Sequence, residues 1–298
     1  MTGPGWVSKK GEAGIMGAGP MGLKTWKGAG AFALAAGMGM LAMAAPAAAQ
    51  DAWGQLERAD AALSAAASAG GERAAMQAVA GEGAVVFRPG PLRVAEWTDD
   101  GGRTPSWSTN ALEIAYYGDL GYVVGGRTME PRGDGRAAVE GYSLSVWRIE
   151  AAGRWQLLAD HQVAAEDPRR ERSPRRREVA PDDVHTAGAD PDRLRALEGI
   201  EAGLLQALAG GDPEPLCERF ARDVLVLRRG EDPTSRCRDA TLPPGFDPRR
   251  VALLGAVQSR AGDMATTWGA GDGGSWLRVW RLGADGRWVI AADLMRAP

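Results

Sequence analysis

The chain has 298 residues, 45% of them hydrophobic and 24% charged, with a formal net charge of −3. These are the proportions of a globular protein with apolar mass enough for a sizeable core, and the length suits two domains once a leader is subtracted. The acidic balance excludes a general nucleic-acid binder.

The first segment, residues 1–49, reads as an N-terminal extension with a signal peptide. Lys24 and Lys27 precede an apolar run from Ala31 to Ala45, and Pro46 is followed by Ala47-Ala48-Ala49. Small side chains at Ala47 and Ala49 suit a signal peptidase and predict cleavage before Gln50. The apolar run would span only about 22 Å as a helix, short of a bilayer core. The expected location is therefore periplasmic or secreted, with no membrane span after cleavage. Lys9, Lys10, Lys24 and Lys27 are the only lysines, so every later positive charge is an arginine.

Beyond Gln50 an internal repeat organises the chain. The segment from Val146 to Trp155 recurs from Val279 to Trp288, and an aspartate follows each, Asp160 and Asp293. Asp119-Leu120-Gly121 matches Asp263-Met264-Ala265, and Val85-Val86-Phe87-Arg88 matches Leu225-Val226-Leu227-Arg228. Matches in one order, with small changes of offset, imply two copies at residues 50–165 and 190–298. Each copy predicts an Ala/Leu-rich helix (51–69; 190–209) ending at a Gly-Gly pair. A shorter helix, a strand, a Pro/Gly loop and three further strands follow. The last two form a hairpin, at 142–149 and 155–161 in copy one and 276–282 and 288–294 in copy two, with Gly153 and Gly286 in the turns. Between the copies, residues 166–189 hold six arginines from Arg169 to Arg177 and three prolines, and read as a solvated linker. An electrostatic tether to anionic lipid is the sharper alternative for it.

Gly141-Tyr142, Val146-Trp147-Arg148, Gly153-Arg154-Trp155 and Asp160, following a helix pair, resemble the nuclear transport factor 2-like superfamily. Within it, the chain looks most like the secreted bacterial branch, SnoaL-like or of unknown function. The resemblance covers residues 52–163 in copy one. Copy two, at 192–295, departs more, with Thr266 in place of Tyr122 and Gly274-Ser275 in place of Gly-Tyr. The resemblance implies an α+β protein made of two tandem cone-shaped domains, each with helices packed on a curved antiparallel sheet. It implies a pocket for small organic ligands between helices and sheet, and says little of activity, because the fold hosts enzymes and binders alike.

Enzymes of that fold place a carboxylate or an Asp-His pair in the pocket, which makes Asp160 and His161 the candidate catalytic residues. Adjacent strand residues point to opposite faces, so a dyad would require a bulge. Asp160 and Asp293 are retained in both copies, which suits a structural role such as pairing with Arg148 or Arg281. His161 shares an alternating face with Trp155, Leu157 and Ala159 and reads as a wall residue. Trp97, Trp107, Tyr116, Tyr117 and Tyr122 are the candidate ligand-binding residues, able to stack on a planar molecule. Cys217 and Cys237 are the only cysteines and are expected to form a disulfide in an oxidising compartment. With only His161 and His185, no metal site is indicated, and no P-loop or nucleophile elbow points to another cofactor or triad.

The expected function is binding of a small apolar or aromatic molecule without catalysis. A lyase or isomerase using Asp160 or His161 as base, and a protein-interaction module, are the alternatives. The hairpin strands are apolar on both faces: Leu144 and Val146 alternate with Trp147, and Leu277 and Val279 with Trp276 and Trp280. Such strands are covered on both sides. This predicts a pseudo-dimer of the two copies, sheet against sheet, with Trp147 or Trp280 near the seam, and leaves room for a homo-oligomer.

Overall fold

The computed structural model describes residues 45–98, 103–131, 137–150, 153–165, 168, 175–177, 188–235, 237 and 242–298. The leader's charged and apolar segments, and His185 with most of the arginine-rich linker, lie outside the described residues. No helix among the described residues is long and apolar enough to cross a membrane.

The first half begins with α1 (Ala45–Gly70) and α2 (Glu72–Val79), which meet at Gly71, where φ of 97° makes the sharp junction available to glycine. Strands β1 (Ala80–Phe87), β2 (Pro91–Arg93), β3 (Arg103–Ile114), β4 (Leu120–Pro131), β5 (Val139–Ile149) and β6 (Trp155–Ala164) follow. The second half runs α3 (Pro191–Ala209), α4 (Glu214–Cys217), β8 (Phe220–Leu227), β9 (Ala252–Gln258), β10 (Met264–Gly271), β11 (Gly274–Leu282) and β12 (Trp288–Arg296). Asp190 caps α3 by accepting from the Asp192 backbone N–H at 2.9 Å, with Pro191 in the first turn. Cys217 and Cys237 form a disulfide, with Cα atoms 5.3 Å apart, tying the end of α4 to the loop after β8.

With β7 at Arg175–Arg177, the protein is α+β with two mixed sheets, ordered β2-β1-β6-β5-β4-β3-β7 and β8-β12-β11-β10-β9. The central order is the same in both: a first strand parallel to the last, followed by an antiparallel meander. The correspondence extends to irregularities. The β5–β6 register shifts at Leu158 and the β11–β12 register shifts at Ala291, while the β3–β4 and β9–β10 registers shift at Asn110 and Leu254.

Two sequence expectations need correction. Four strands follow each loop rather than three, because β3 and β9 lack a clean apolar alternation. Pro105 in β3 also reads as a strand breaker, yet it sits where β3 has only β4 as neighbour and its missing N–H costs no ladder bond. The linker is not wholly without structure either: β7 (Arg175–Arg177) pairs parallel with Ala111–Glu113 at the sheet edge.

Three cores result. Leu56, Leu63 and Met76 of α1 and α2 pack with Val123, Trp147 and Leu157 on one face of the first sheet. Leu197, Leu204 and Leu208 of α3 pack with Trp276, Trp280 and Ile290 on one face of the second. The remaining faces meet each other, where Tyr122, Leu144 and Val146 join Met264, Leu277 and Val279 in a single cluster. The sheets therefore pack face to face with helices outside. The tryptophan expectation is overturned: Trp147 and Trp280 lie in the separate helix-side cores, and the smaller branched side chains on the alternate positions make the seam. Pleating fixes that division, since neighbours on a strand face opposite ways.

Turns at one end of the sheets bind the halves reciprocally. Asp263 accepts the Tyr116 backbone N–H at 2.8 Å, and Asp119 accepts the Arg260 backbone N–H at 2.9 Å. Tyr116 and Asp119 stand in one half where Arg260 and Asp263 stand in the other, and Gly118 and Gly262 both take φ near 70° in these turns. A contact in which i meets j and j meets i is the signature of a two-fold interface.

Candidate functional site

On the helix side of the first sheet, charged groups are gathered rather than excluded. Arg88, at the end of β1, donates to Glu72 at 2.6 Å and to Asp160 on β6. Arg127 of β4 reaches Glu72 at 2.5 Å. Two guanidinium groups and two carboxylates balance, which is what makes their burial tolerable. Burial alone would raise Glu72, but Arg127 and Arg88 outweigh it and hold the carboxyl at about 2. Burial raises Asp160, and the pull of Arg88 and Arg127 does not fully offset it. Alongside, Asp60 of α1 accepts from Thr109 at 2.7 Å and from the Trp107 indole at 3.3 Å. Burial pushes Asp60 up to about 6, and its hydrogen bonds to Thr109 and Trp107 and the charge of Arg127 do not offset it.

The second half builds its own network. Asp293 accepts from Arg228 at 2.5 Å and from Arg278 at 2.7 Å. Arg278 also binds Glu201 of α3, which accepts in addition from Thr267 and from the Trp280 indole at 3.1 Å. Burial would raise Asp293, but Arg228 and Arg278 outweigh it and hold it below the usual carboxylate range. The retained aspartates are thus counter-ions to Arg88 and Arg228. The expected pairing with Arg148 or Arg281 does not occur: Arg148 meets Glu150, and Arg281 lies near Glu113 and Asp223.

Asp160 and His161 face opposite ways. A bulge is present, but at Leu158, before both residues, so it leaves their alternation intact. It also moves Trp155 and Leu157 to the helix side, whereas His161 turns to the seam with Ala159 and Val163. There its ring stacks on Phe87 at 4.2 Å, fully buried. Nδ1 accepts the Gln162 backbone N–H at 2.8 Å, so the ring proton resides on Nε2 and is donated to Ser275 Oγ at 2.9 Å. Burial, with Arg296 and Arg88 nearby, takes His161 well below its ordinary value and keeps it neutral. Both nitrogens are committed, and neither is presented to a substrate.

The candidate aromatic residues do not converge. Trp97 is buried on the helix side with Arg88 5.8 Å from its ring centre, and Trp107 packs nearby under Arg127 at 5.1 Å. Tyr122 is in the seam and donates to Glu113 at 2.9 Å. Tyr116 and Tyr117 sit edge to face at the turn, Tyr117 being 55% exposed. Among the described residues no cluster of three or more His, Cys, Asp or Glu side chains is placed to hold a metal ion.

A cleft of about 560 Å³ opens where the ends of β4, β5 and β6 meet the segments after β8 and β12. Its walls include Met129, Val139, Val163, Pro243, Pro244, Ala297 and Pro298, and the charged side chains among them are Arg127, Glu140, Arg229 and Arg296. That volume is in the range of small-molecule sites, which are largely apolar with a few convergent polar groups. Sequence reasoning missed Asp60, Glu72, Arg127, Glu201 and Arg278 in the networks and Arg229 and Arg296 in the cleft. One signal was available: Arg88 and Arg228 occupy matching places in the repeat, as do Asp160 and Asp293.

No protein-family model matches the chain, and no curated protein matches its sequence. Several solved structures with local likeness are ketosteroid isomerases or ketosteroid isomerase-like proteins by description. Delta 5-3-ketosteroid isomerase from Mycobacterium sp. is 14% identical, with 38% of this chain and 90% of that one covered and a TM-score of 0.26. A Mycobacterium tuberculosis protein in complex with estradiol-17beta-hemisuccinate is 13% identical, with coverage of 38% and 91% and a TM-score of 0.27. A conserved protein from Planctomyces limnophilus is 19% identical, with coverage of 40% and 96% and a TM-score of 0.27. At these scores the likenesses assign no activity to the chain.

Proposed function

We propose that the protein is an exported, non-catalytic binder of a small, largely apolar molecule, built from two tandem nuclear transport factor 2-like copies paired through their sheets. The cleft beside Val139 and Pro243 carries the binding reading, because it joins apolar walls to a few polar groups while Asp160 and His161 are committed elsewhere. The matched bulges and the reciprocal aspartate contacts support the duplication. The lysine-flanked apolar run and the disulfide support export. Native mass spectrometry of protein purified without detergent is the test. A non-covalent adduct that disappears in Val139→Trp, which fills the cleft, is expected. An adduct that persists in that variant, or none at all, contradicts the assignment.

A second reading, proton transfer of lyase or isomerase type, is favoured by one observation. Asp60, raised to about 6, has the affinity of a general acid or base working near neutrality. Turnover of any candidate substrate abolished by Asp60→Asn, with an acid limb near pH 6 in the native protein, would favour this reading over the first.

A further inference from the structure

Two arginines of the cleft, half-buried Arg296 and exposed Arg229, stand apart from the other guanidinium groups described above. Arg88, Arg127, Arg228 and Arg278 each face a carboxylate within an ion pair. Arg229 and Arg296 make no hydrogen bond or ion pair among the described residues. They come from the end of β8 and the end of β12, and both line the cleft. They also lie close enough to act on each other: Arg296 is held below its ordinary value by burial, then by the like charges of Arg88 and Arg229. Half-burying the Arg296 guanidinium beside other cations costs free energy unless an anion offsets it. Glu140, the acid of the lining, has interactions of its own. Gln162 adds a third feature, because its side-chain oxygen is buried in the same wall without a hydrogen-bond partner. That oxygen is an acceptor and calls for a donor on whatever sits beside it.

We infer that the cleft is a site for a small anionic amphiphile, an apolar or aromatic body bearing one carboxylate, sulfonate or phosphate, with Arg229 and Arg296 holding the anionic group and the proline and valine walls holding the body. This rests on the binding reading above and gives it a ligand class. The guanidinium fork accepts all three anions in bidentate fashion, so the shared chemistry is the charge and its planar or tetrahedral oxygens.

The test uses two probes of matching shape, 2-naphthoate and 2-naphthol, titrated calorimetrically into the purified protein at low and moderate salt. Naphthoate is expected to bind about tenfold or more tightly than naphthol, because hydrogen bonds between ionised partners are the stronger kind. Arg229→Ala/Arg296→Ala should remove that preference, bringing naphthoate to the affinity of naphthol. Arg229→Glu, a reversal at an exposed position, should invert it without affecting the fold, as thermal unfolding will verify. Equal binding of both probes to the native protein, or a preference untouched by Arg229→Glu, overturns the anionic class while leaving apolar binding standing. Binding of neither probe at millimolar concentration overturns the binding reading itself.

Discussion

The two halves solve one problem in two ways. Each keeps an arginine at the end of its first strand facing an aspartate on its last, Arg88 with Asp160 and Arg228 with Asp293. The second acid and second arginine come from different elements. The first half draws Glu72 from α2 and Arg127 from β4, whereas the second draws Glu201 from α3 and Arg278 from β11. In consequence Asp293 receives two guanidinium groups and is held ionised, while Asp160 receives one and is raised by burial. The first half also buries Asp60. Both networks match two cations to two acids, but the second half holds Asp293 ionised between both of its arginines, while the first leaves Asp160 and Asp60 raised by burial. Arg127 links the interior of the first half to the cleft it also lines.

The largest expected effect breaks the closed network. Asp293→Ala leaves Arg228 and Arg278 short of a counter-ion in a dry core and should cost about 3–5 kcal/mol in urea unfolding. Asp160→Ala should cost less, about 1–3 kcal/mol, because Arg88 retains Glu72. Equal losses would mean the halves are electrostatically alike. At the seam, Leu277→Ala and Leu144→Ala should each cost about 2–5 kcal/mol, because both are fully buried between the sheets. Reducing the Cys217–Cys237 bridge, which closes a separation of 20 residues, should cost about 3 kcal/mol and act only on the second half.

The smallest effect is the most selective. Asp60 is raised from 3.8 to about 6, so its contribution to stability is intact below pH 4 and is lost as pH rises through about 6. Asp60→Asn should therefore flatten the stability profile between those values and gain about 1–3 kcal/mol at pH 7. His161 slopes the other way. Its depressed value means stability is present above its ordinary 6.5 and falls as the solution is acidified below that point. Melting temperatures measured across pH 4–8 in native protein and Asp60→Asn separate the two contributions.

What was legible in the sequence was what repeats locally. The period-two alternation at Leu144, Val146 and Trp147 foretold strands covered on both faces, and the recurrence of Val-Trp-Arg with its trailing aspartate marked matching hairpins. Arg127, Glu201 and Arg278 were not legible, because none has a like charge at the repeat offset, and Glu72, which falls opposite Asp212, finds its partners across the fold. The tryptophans misled for a simpler reason. Their size suggested an interface, but pleating placed them toward the helices, and the seam was left to Leu144, Val146, Leu277 and Val279. The cleft arginines sit on the ends of strands far apart in sequence, and only the fold makes them neighbours.

Face-to-face union of the halves underlies the reciprocal turn contacts, the shared core and the placement of the cleft. Backbone ¹⁵N relaxation tests it most directly. One rotational correlation time common to residues of both sheets, and set by the size of the whole described body, is the predicted result. Two distinct and shorter times, one for each half, would contradict it.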